Sequence, residues 1–171
     1  KKKVRVGEIT FTGNDNYTAK RLRRTFKKTH QKSYNFFRNT KLKEEDYKED
    51  KNLLIEFYNS RGFRNAVIVS DSIYDINEKR IGIHLNITEG EKFYIRNVKW
   101  VGNSVYETDL LNNMFGVKKG DLYDKQSMHK RLGIGREANP EQMSVSTLYQ
   151  DNGYLTSQIE PTEIVVAKDT I

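Results

Sequence analysis

Histidines are the first side chains in this 171-residue sequence that could carry out chemistry. They occur in three unrelated settings: His30 in a basic loop, His84 on a strand face and His129 in a helix. No serine or aspartate spacing completes a nucleophile constellation around them, and the chain contains no cysteine. We therefore predict that the protein is not an enzyme and that it uses no cofactor and no metal.

An acidic cluster and a glycine-rich segment also fall short of a ligand site. Residues 44–50 contain five acids, but no turn chemistry or histidine completes a metal site around them. At the start of a helix, these acids instead complement the helix dipole. The glycines of residues 133–135 lack the Gly-Lys-Ser/Thr of a phosphate loop, so we interpret them as a break between two helix halves.

Positive charge is concentrated in the first half of the chain. Residues 1–90 carry 20 Lys and Arg against 12 Asp and Glu, whereas residues 91–171 carry 10 against 11. Residues 20–43 contain ten basic residues and no acid, interleaved with aromatics. Such a surface can bind nucleic acid, but we predict no nucleic-acid partner and favour a solvated helix face and loop, or a surface that faces acidic partners or lipid head groups. The predicted basic surface consists of Lys20, Arg21, Arg23, Arg24, Lys27 and Lys28.

The elements that position these groups are duplicated. Residues 6–26 recur at residues 95–115, each copy having an alternating apolar run, a Gly-Asn pair and a tyrosine three places on. A second landmark, in which a glycine ends a helix, recurs further along in the same order. We predict two modules, residues 1–90 and residues 91–171. The four structural turns are Gly13-Asn14, Gly102-Asn103, Gly62 and Gly153.

The first module is predicted to have the order β-α-α-β-β. Thr18 is the expected cap of the first helix, and a bulge is expected near Gly7 of the first strand. The predicted strands are residues 4–12, 66–74 and 80–88. The predicted helices run from residue 18 to about 28 and from 43 to 60. A basic aromatic loop at residues 29–43 lies between the two helices.

The second module repeats this order up to its last strand. Residues 93–101 and 155–166 are predicted strands, and a short helix is predicted from Glu107 to Met114. The next helix begins near Leu122, breaks at the glycines and resumes from Pro140 to Asn152. We expect the partner strand that should follow a turn at residues 168–169 to be missing from this fragment. Its end would then be truncated or disordered, or it would be completed by strand exchange with another chain.

The sequence resembles POTRA domains, and most closely those of outer-membrane protein assembly factors of the BamA family. The resemblance rests on the module order, the Gly-Asn pairs, the helix-ending glycines and residues 86–90, NITEG, at the close of the first module. The long basic aromatic loop suggests the third and fourth modules of a Bacteroidetes-type protein. The broken helix at residues 133–142 departs from the family pattern.

The resemblance implies an α+β fold in which each module is a small mixed three-stranded sheet covered by two helices. It also implies a periplasmic location in an outer-membrane protein whose parent chain carries adjacent modules and a C-terminal β-barrel. The second strand would lie at a sheet edge and pair with unfolded outer-membrane proteins or accessory lipoproteins. The residues implied for this edge are Ala66, Val67, Ile68, Val69, Ser70, Asp71 and Ser72, with residues 155–166 in the second copy.

Four alternatives to this function stay open. The modules could be passive spacers whose edges are capped by neighbours. They could serve a related polypeptide transporter, in two-partner secretion, translocation assembly or plastid import. The basic surface could make the chain a nucleic-acid adaptor, which would bind with a steep salt dependence. A hydrolase would require a turnover that depends on one histidine.

Overall fold

The computed structural model describes residues 5–31 and 42–171, except for the side chain of residue 137. Chain contacts divide it into two compact units: residues 1–58 with 65–90, and residues 59–64 with 91–171. The short segment 59–64 therefore packs with the second unit, although it follows a helix of the first repeat. None of the described helices combines the length and the apolar composition that crossing a membrane requires.

The first unit contains a three-stranded mixed sheet. Its strands are β1 (Arg5–Thr12), β2 (Val67–Asn77) and β3 (Arg80–Thr88), in the spatial order β1-β3-β2. Strand β3 pairs with β1 in parallel and with β2 in antiparallel fashion. The predicted mixed sheet is confirmed, and β1 and β2 are the two edges of the sheet that the described strands form.

One face of this sheet is covered and forms the core of the unit. The apolar residues of β3 alternate, and the four on one face, Ile81, Ile83, Leu85 and Ile87, are all buried. Helix α2 (Glu44–Asn59) buries a matching stripe that includes Tyr47, Leu54 and Tyr58. The buried side chains recur every second position on β3 and every three to four positions on α2, so each element presents one apolar face to the core.

Strand β1 is irregular at one point, and the bounds of β2 differ slightly from the predicted ones. The register of β1 against β3 shifts between Val6 and Glu8, which confirms the bulge at Gly7. Strand β2 begins one residue later than predicted and continues to Asn77, three residues further. It continues because Asp75 still pairs with Ile81 of β3.

Helix α1 (Ala19–Leu22) is capped as predicted but is much shorter than expected. The Thr18 hydroxyl accepts a hydrogen bond from the Arg21 N–H, whereas the predicted end lay near Lys28. The chain leaves the helix because the main-chain N–H groups of residues 27–29 donate to the buried carboxylate of Asp50. Most of the predicted basic aromatic loop, residues 32–41, lies outside the described residues.

Helices are the regular elements of the second unit among the described residues. Its helices are α3 (Thr108–Phe115), α4 (Lys125–Leu132), a short 3-10 helix (Gly135–Glu137) and α5 (Val145–Asp151). The predicted break is present, since Gly133 ends α4 in the left-handed region with φ 75°. Leu111, Phe115, Leu132 and Val145 form a buried cluster between these helices.

The predicted restart of the helix at Pro140 is wrong. Residues 139–142 form a turn, in which the Gln142 N–H donates to the Asn139 carbonyl at 3.0 Å. Helix α5 begins five residues later, at Val145, and its N-cap is Ser144, whose hydroxyl and main-chain N–H exchange hydrogen bonds with Thr147. This pair is a capping box with threonine in the third position, where glutamate or glutamine is usual.

The two strands predicted for the second unit, residues 93–101 and 155–166, are not formed as strands among the described residues. Only isolated bridges occur, and Tyr94 pairs in parallel with Thr170. In the first unit the equivalent residue Arg5 pairs in parallel with Arg80. Tyr94 follows Arg5 by 89 residues, and Thr170 follows Arg80 by 90 residues, so the two pairs are equivalent. Residues 168–171 therefore lie where the central strand begins in the first repeat. A strand needs a hydrogen-bonded neighbour along its length, and residues 97–101 and 155–165 have none among the described residues.

Candidate functional site

Strand β2 is an exposed, apolar sheet edge. One side of the strand pairs with β3, and no described strand pairs with the other side. Its apolar side chains are far more exposed than those of a covered strand: Val67 is 50% exposed, Val69 58% and Ile73 49%. An exposed edge of this kind offers main-chain groups and apolar contacts to an extended peptide.

The direction of the main-chain groups follows from the central strand. A Cβ built on Gly7 would lie 3.4 Å from the Ile81 carbonyl oxygen, and one built on Gly13 would lie 1.9 Å from that of Ile87. These carbonyls therefore face β1. Because main-chain groups alternate sides along a strand, the odd-numbered residues of β3 bond to β1 and the even-numbered ones bond to β2.

This alternation identifies the free groups of β2. Ser72 lies opposite His84, an even-numbered residue, so Ser72 bonds to β3. Asp71 and Ile73 lie opposite odd-numbered residues, so their N–H and C=O groups point to the free edge. The register is regular from Ser70 to Asp75, between two shifts near the ends of the strand. The usable edge is therefore the middle of β2.

The residues predicted for the edge fall into three groups. Ala66 precedes the strand and is only 3% exposed, because it packs into the core of the unit. Ile68 is half-buried on the covered side of the sheet. The exposed positions are Val67, Val69, Ser70, Asp71 and Ser72.

Asp71 ties the edge strand to helix α2. Its carboxylate accepts a hydrogen bond from the Tyr47 hydroxyl at 2.8 Å and pairs with the Lys51 ammonium at 3.0 Å. The hydrogen bonds from Lys51 and Tyr47 hold the pKa of Asp71 below its ordinary value of 3.8. Burial, and secondarily the bond to Asp71, raises the pKa of the Tyr47 phenol. The Asp71 side chain is thus engaged by the helix, while its main chain faces the edge.

Replacing Asp71 with asparagine tests this clamp, because the amide keeps an acceptor for Tyr47 and loses the charge. We expect the free energy of unfolding at neutral pH to fall by about 0.5–1 kcal/mol, since solvent screens the Lys51 pair. The pKa of Asp71 is lower in the folded chain than in the unfolded one, so its contribution is lost as the pH falls through the folded value.

Urea unfolding of the wild type and Asp71→Asn across pH 7 to pH 3 measures this difference. The two curves should converge below the ordinary pKa of 3.8. A difference that stays constant over this range would show that the charge of Asp71 is not what stabilises the strand. Asp75→Asn on the same strand is the matched control.

The uncovered face of the sheet is polar at its centre. The His84 ring lies between two threonines of β1, with Thr10 Oγ1 at 3.0 Å from Nδ1 and Thr12 Oγ1 at 3.2 Å from Nε2. The Tyr74 ring covers Gly82, and its hydroxyl donates to Glu8 at 2.9 Å. His84 is thus part of a cross-strand contact.

The predicted basic surface is divided by its contacts. Lys28 pairs with Glu49 at 2.6 Å, and the Arg21 guanidinium lies over the Tyr17 ring at 5.5 Å. Arg23 donates to a main-chain carbonyl of β1. Lys20, Arg24 and Lys27 form no ion pair with another described residue. Together with Arg23 they line a cavity of about 500 Å³ beside β1.

The turn residues occupy equivalent positions in both repeats. The Asn14 amide donates to the Tyr17 carbonyl at 2.6 Å, and the Asn103 amide donates to the Tyr106 carbonyl at 3.0 Å. Each asparagine therefore closes the loop that leads into the first helix of its repeat. All four predicted turn glycines have positive φ: Gly13 72°, Gly62 88°, Gly102 79° and Gly153 89°.

Two buried carboxylates that support the edge strand's unit were not predicted. Asp50 is fully buried, and Glu89, 6% exposed, accepts hydrogen bonds from the Tyr58 hydroxyl at 2.8 Å and from the Asn16 side chain at 2.6 Å. The sequence position of Asp50 signals its burial, because it falls on the apolar stripe of α2, three residues after Tyr47. Within the described residues, no group of three or more His, Asp or Glu side chains could hold a metal ion.

Comparisons with known proteins agree with this fold. The family model for POTRA, described as surface antigen variable number repeat, matches residues 4–90 and again residues 93–171. The outer membrane protein assembly factor BamA of Neisseria meningitidis serogroup B (strain MC58) is 25% identical over 116 residues, which cover 68% of this chain and 14% of that protein. The chain thus spans about one seventh of that relative's length.

A solved structure shows the same fold at low identity. The crystal structure of Haemophilus influenzae BamA POTRA3-5 is similar with a TM-score of 0.57 and 14% identity. The match covers 76% of this chain and 54% of that one.

Proposed function

The chain belongs to the POTRA domain family, and from this premise we propose that it is a periplasmic segment of an outer-membrane β-barrel assembly factor. In this role it is a scaffold and docking arm for the folding and insertion of outer-membrane proteins. Its partners are unfolded outer-membrane proteins, accessory lipoproteins, adjacent modules and the β-barrel of its parent chain. The similarity to BamA of Neisseria meningitidis supports this assignment.

The proposed modules are residues 1–90 and 91–171, of the third and fourth type. The two separate family matches, at residues 4–90 and 93–171, support this division. We propose that the first module carries the docking edge, because β2 is its exposed strand. The second module would offer residues 155–166, which expose Leu155 at 76% and Ile164 at 69%.

The observation that carries the proposal is the free middle of β2. Asp71 and Ile73 direct main-chain N–H and C=O groups outward, so an extended client adds as a fourth strand. Main-chain pairing tolerates many sequences, which suits partners that share only an alternating apolar pattern. Exposed Val67 and Val69 add apolar contact beside the main-chain bonds.

Replacing Ile73 with proline tests this docking mode directly. Proline removes the outward N–H without removing a bond to β3, because Ile73 does not donate to β3. We expect the affinity for an extended peptide from an outer-membrane β-strand to fall at least about tenfold, which corresponds to about 1.4 kcal/mol. Fluorescence titration with a labelled peptide of about ten residues measures this change.

Ile73→Ala is the matched control, because it removes the same side chain and keeps the N–H. It should bind within about threefold of the wild type, since only apolar contact is lost. Equal losses in the two variants would show that the side chain, and not the main chain, holds the peptide. The amide signals of β3 report whether each variant retains the sheet.

A basic nucleic-acid adaptor is the second candidate function, favoured by the cluster of Lys20, Arg24 and Lys27. Such binding would weaken steeply with salt. An affinity for single-stranded DNA that is unchanged between low and physiological salt would remove this candidate, and it would leave the docking of clients at β2 unaffected.

A further inference from the structure

The two edges of the sheet in the first unit differ in a way that bears on where a client can add. The proposed function uses only β2, and the present inference rests on that function. Strand β1 is the other edge among the described strands, because β3 is the one described strand that pairs with it. A second open edge would admit a client strand in a second place or join two copies of the chain edge to edge.

Side chains occupy the outward main-chain groups at the middle of β1. The Ile9 N–H donates to the Gln31 side-chain carbonyl at 3.2 Å, and the Ile9 carbonyl accepts from the Arg23 guanidinium at 3.2 Å. These are the two groups with which an incoming strand would pair. The main-chain N–H and C=O groups of Ile9 face outward, but both already have side-chain hydrogen-bond partners.

One satisfied residue is sufficient to interrupt this edge. Outward-facing residues recur every second position along a strand, so the neighbours of Ile9 on this edge are Gly7 and Phe11. Gly7 lies at the register shift, where the regular ladder is broken. No two successive outward positions of β1 are therefore free and regular, and a strand cannot add with consecutive hydrogen-bonded pairs.

Positive charge strengthens the contrast between the edges. Lys20, Arg24 and Lys27 line the cavity of about 500 Å³ that also contains Ile9, Arg23 and Gln31. Lysine and arginine beside an edge disfavour edge-to-edge pairing, whereas β2 exposes valine and isoleucine.

We propose that Arg23 and Gln31 are specificity-determining residues that close the β1 edge and so confine strand addition to β2. They act by hydrogen bonding to both main-chain groups of Ile9. The basic side chains around them discourage approach but do not by themselves block pairing.

The test uses the 15N-labelled chain and a peptide of about ten residues from an outer-membrane β-strand. In the wild type, peptide should shift the amide signals of Asp71 and Ile73 and leave those of Ile9 and Phe11 unchanged. In the double variant Arg23→Met with Gln31→Leu, the signals of Ile9 and Phe11 should also shift, and a second peptide should bind per chain.

One variant controls for the loss of positive charge, and a second controls for a substitution at Gln31 that keeps the hydrogen-bond acceptor. Arg24→Met removes the same charge from the same cavity but no bond to Ile9, so it should behave as the wild type. Gln31→Glu keeps an acceptor for the Ile9 N–H, so β1 should stay closed. If the double variant loses its folded amide spectrum, Gln31→Leu alone carries the test.

The outcomes separate this inference from the proposed function. A β1 response in the wild type or in Arg24→Met, or no β1 response in the double variant, overturns the role of Arg23 and Gln31. No response of Asp71 and Ile73 in the wild type overturns docking at β2. The β1 response of the double variant then decides the edge-closing role on its own.

Discussion

Replacing Asp50 with leucine should lower the free energy of unfolding of the first unit by about 3 kcal/mol or more. The carboxylate is fully buried and accepts main-chain N–H groups from Lys27 at 2.6 Å, Lys28 at 3.2 Å and Thr29 at 2.5 Å. Leucine fills the volume but leaves three donors without an acceptor. Urea unfolding monitored by the amide signals of β3 measures the loss.

Asp50→Asn is the matched control, because its carbonyl still accepts while its amide group opposes the other donors. It should cost roughly half as much as the leucine change. Lys48→Leu, two positions earlier on the exposed face of α2, should change stability within about 0.5 kcal/mol. Equal stability of Asp50→Leu and wild type would contradict the role of this carboxylate in holding residues 27–29.

Replacing Gly13 with alanine should destabilise the first unit by about 3 kcal/mol or more. Its φ of 72° already disfavours a side chain, and a Cβ would lie 1.9 Å from the Ile87 carbonyl oxygen. That atom is main chain of the central strand, so it cannot swing away as a side chain could. Thermal unfolding, followed by circular dichroism, measures the change.

The second repeat supplies the control for this prediction. Gly102 is the equivalent residue, with φ of 79°, and a Cβ there would meet no atom within 4 Å. Gly102→Ala should therefore cost only the conformational strain, about 1–2 kcal/mol. Similar losses at the two positions would show that backbone strain alone, and not the close approach to β3, requires glycine at Gly13.

Local signals in the sequence predicted the elements of the first unit well. The alternation of Ile81, Ile83, Leu85 and Ile87 determines which face of β3 is buried, and the Gly13-Asn14 pair marks where β1 ends. These features depend on neighbours along the chain, so periodicity and turn chemistry are sufficient to find them. The breadth of the apolar stripe of α2 similarly gave its bounds to within one residue.

Contacts between distant residues account for what the sequence did not predict. Helix α1 ends early because Asp50, more than twenty residues away, accepts the N–H groups that follow it. The residues predicted as strands in the second unit lack a hydrogen-bonded neighbour among the described residues, and alternation alone cannot supply one. The start of α5 was missed because Thr147 takes the capping position where glutamate or glutamine is usual.

The candidate site was predicted only at the level of the strand. Resemblance to POTRA domains indicated which strand lies at the edge, but the side of the main chain that Asp71 and Ile73 present depends on the register with β3. The bonds from Arg23 and Gln31 to Ile9 depend on how α1 and the following segment fold over β1. Neither register nor long-range side-chain contacts can be read from periodicity.

Amide hydrogen exchange of the chain, with and without an outer-membrane β-strand peptide, tests the central claim most directly. We predict that saturating peptide slows exchange at Asp71 and Ile73, whose N–H groups face the free edge, and leaves Ser72, which already bonds to β3, unchanged. A peptide that binds while the exchange of Asp71 and Ile73 stays at its free value would contradict docking by strand addition at β2.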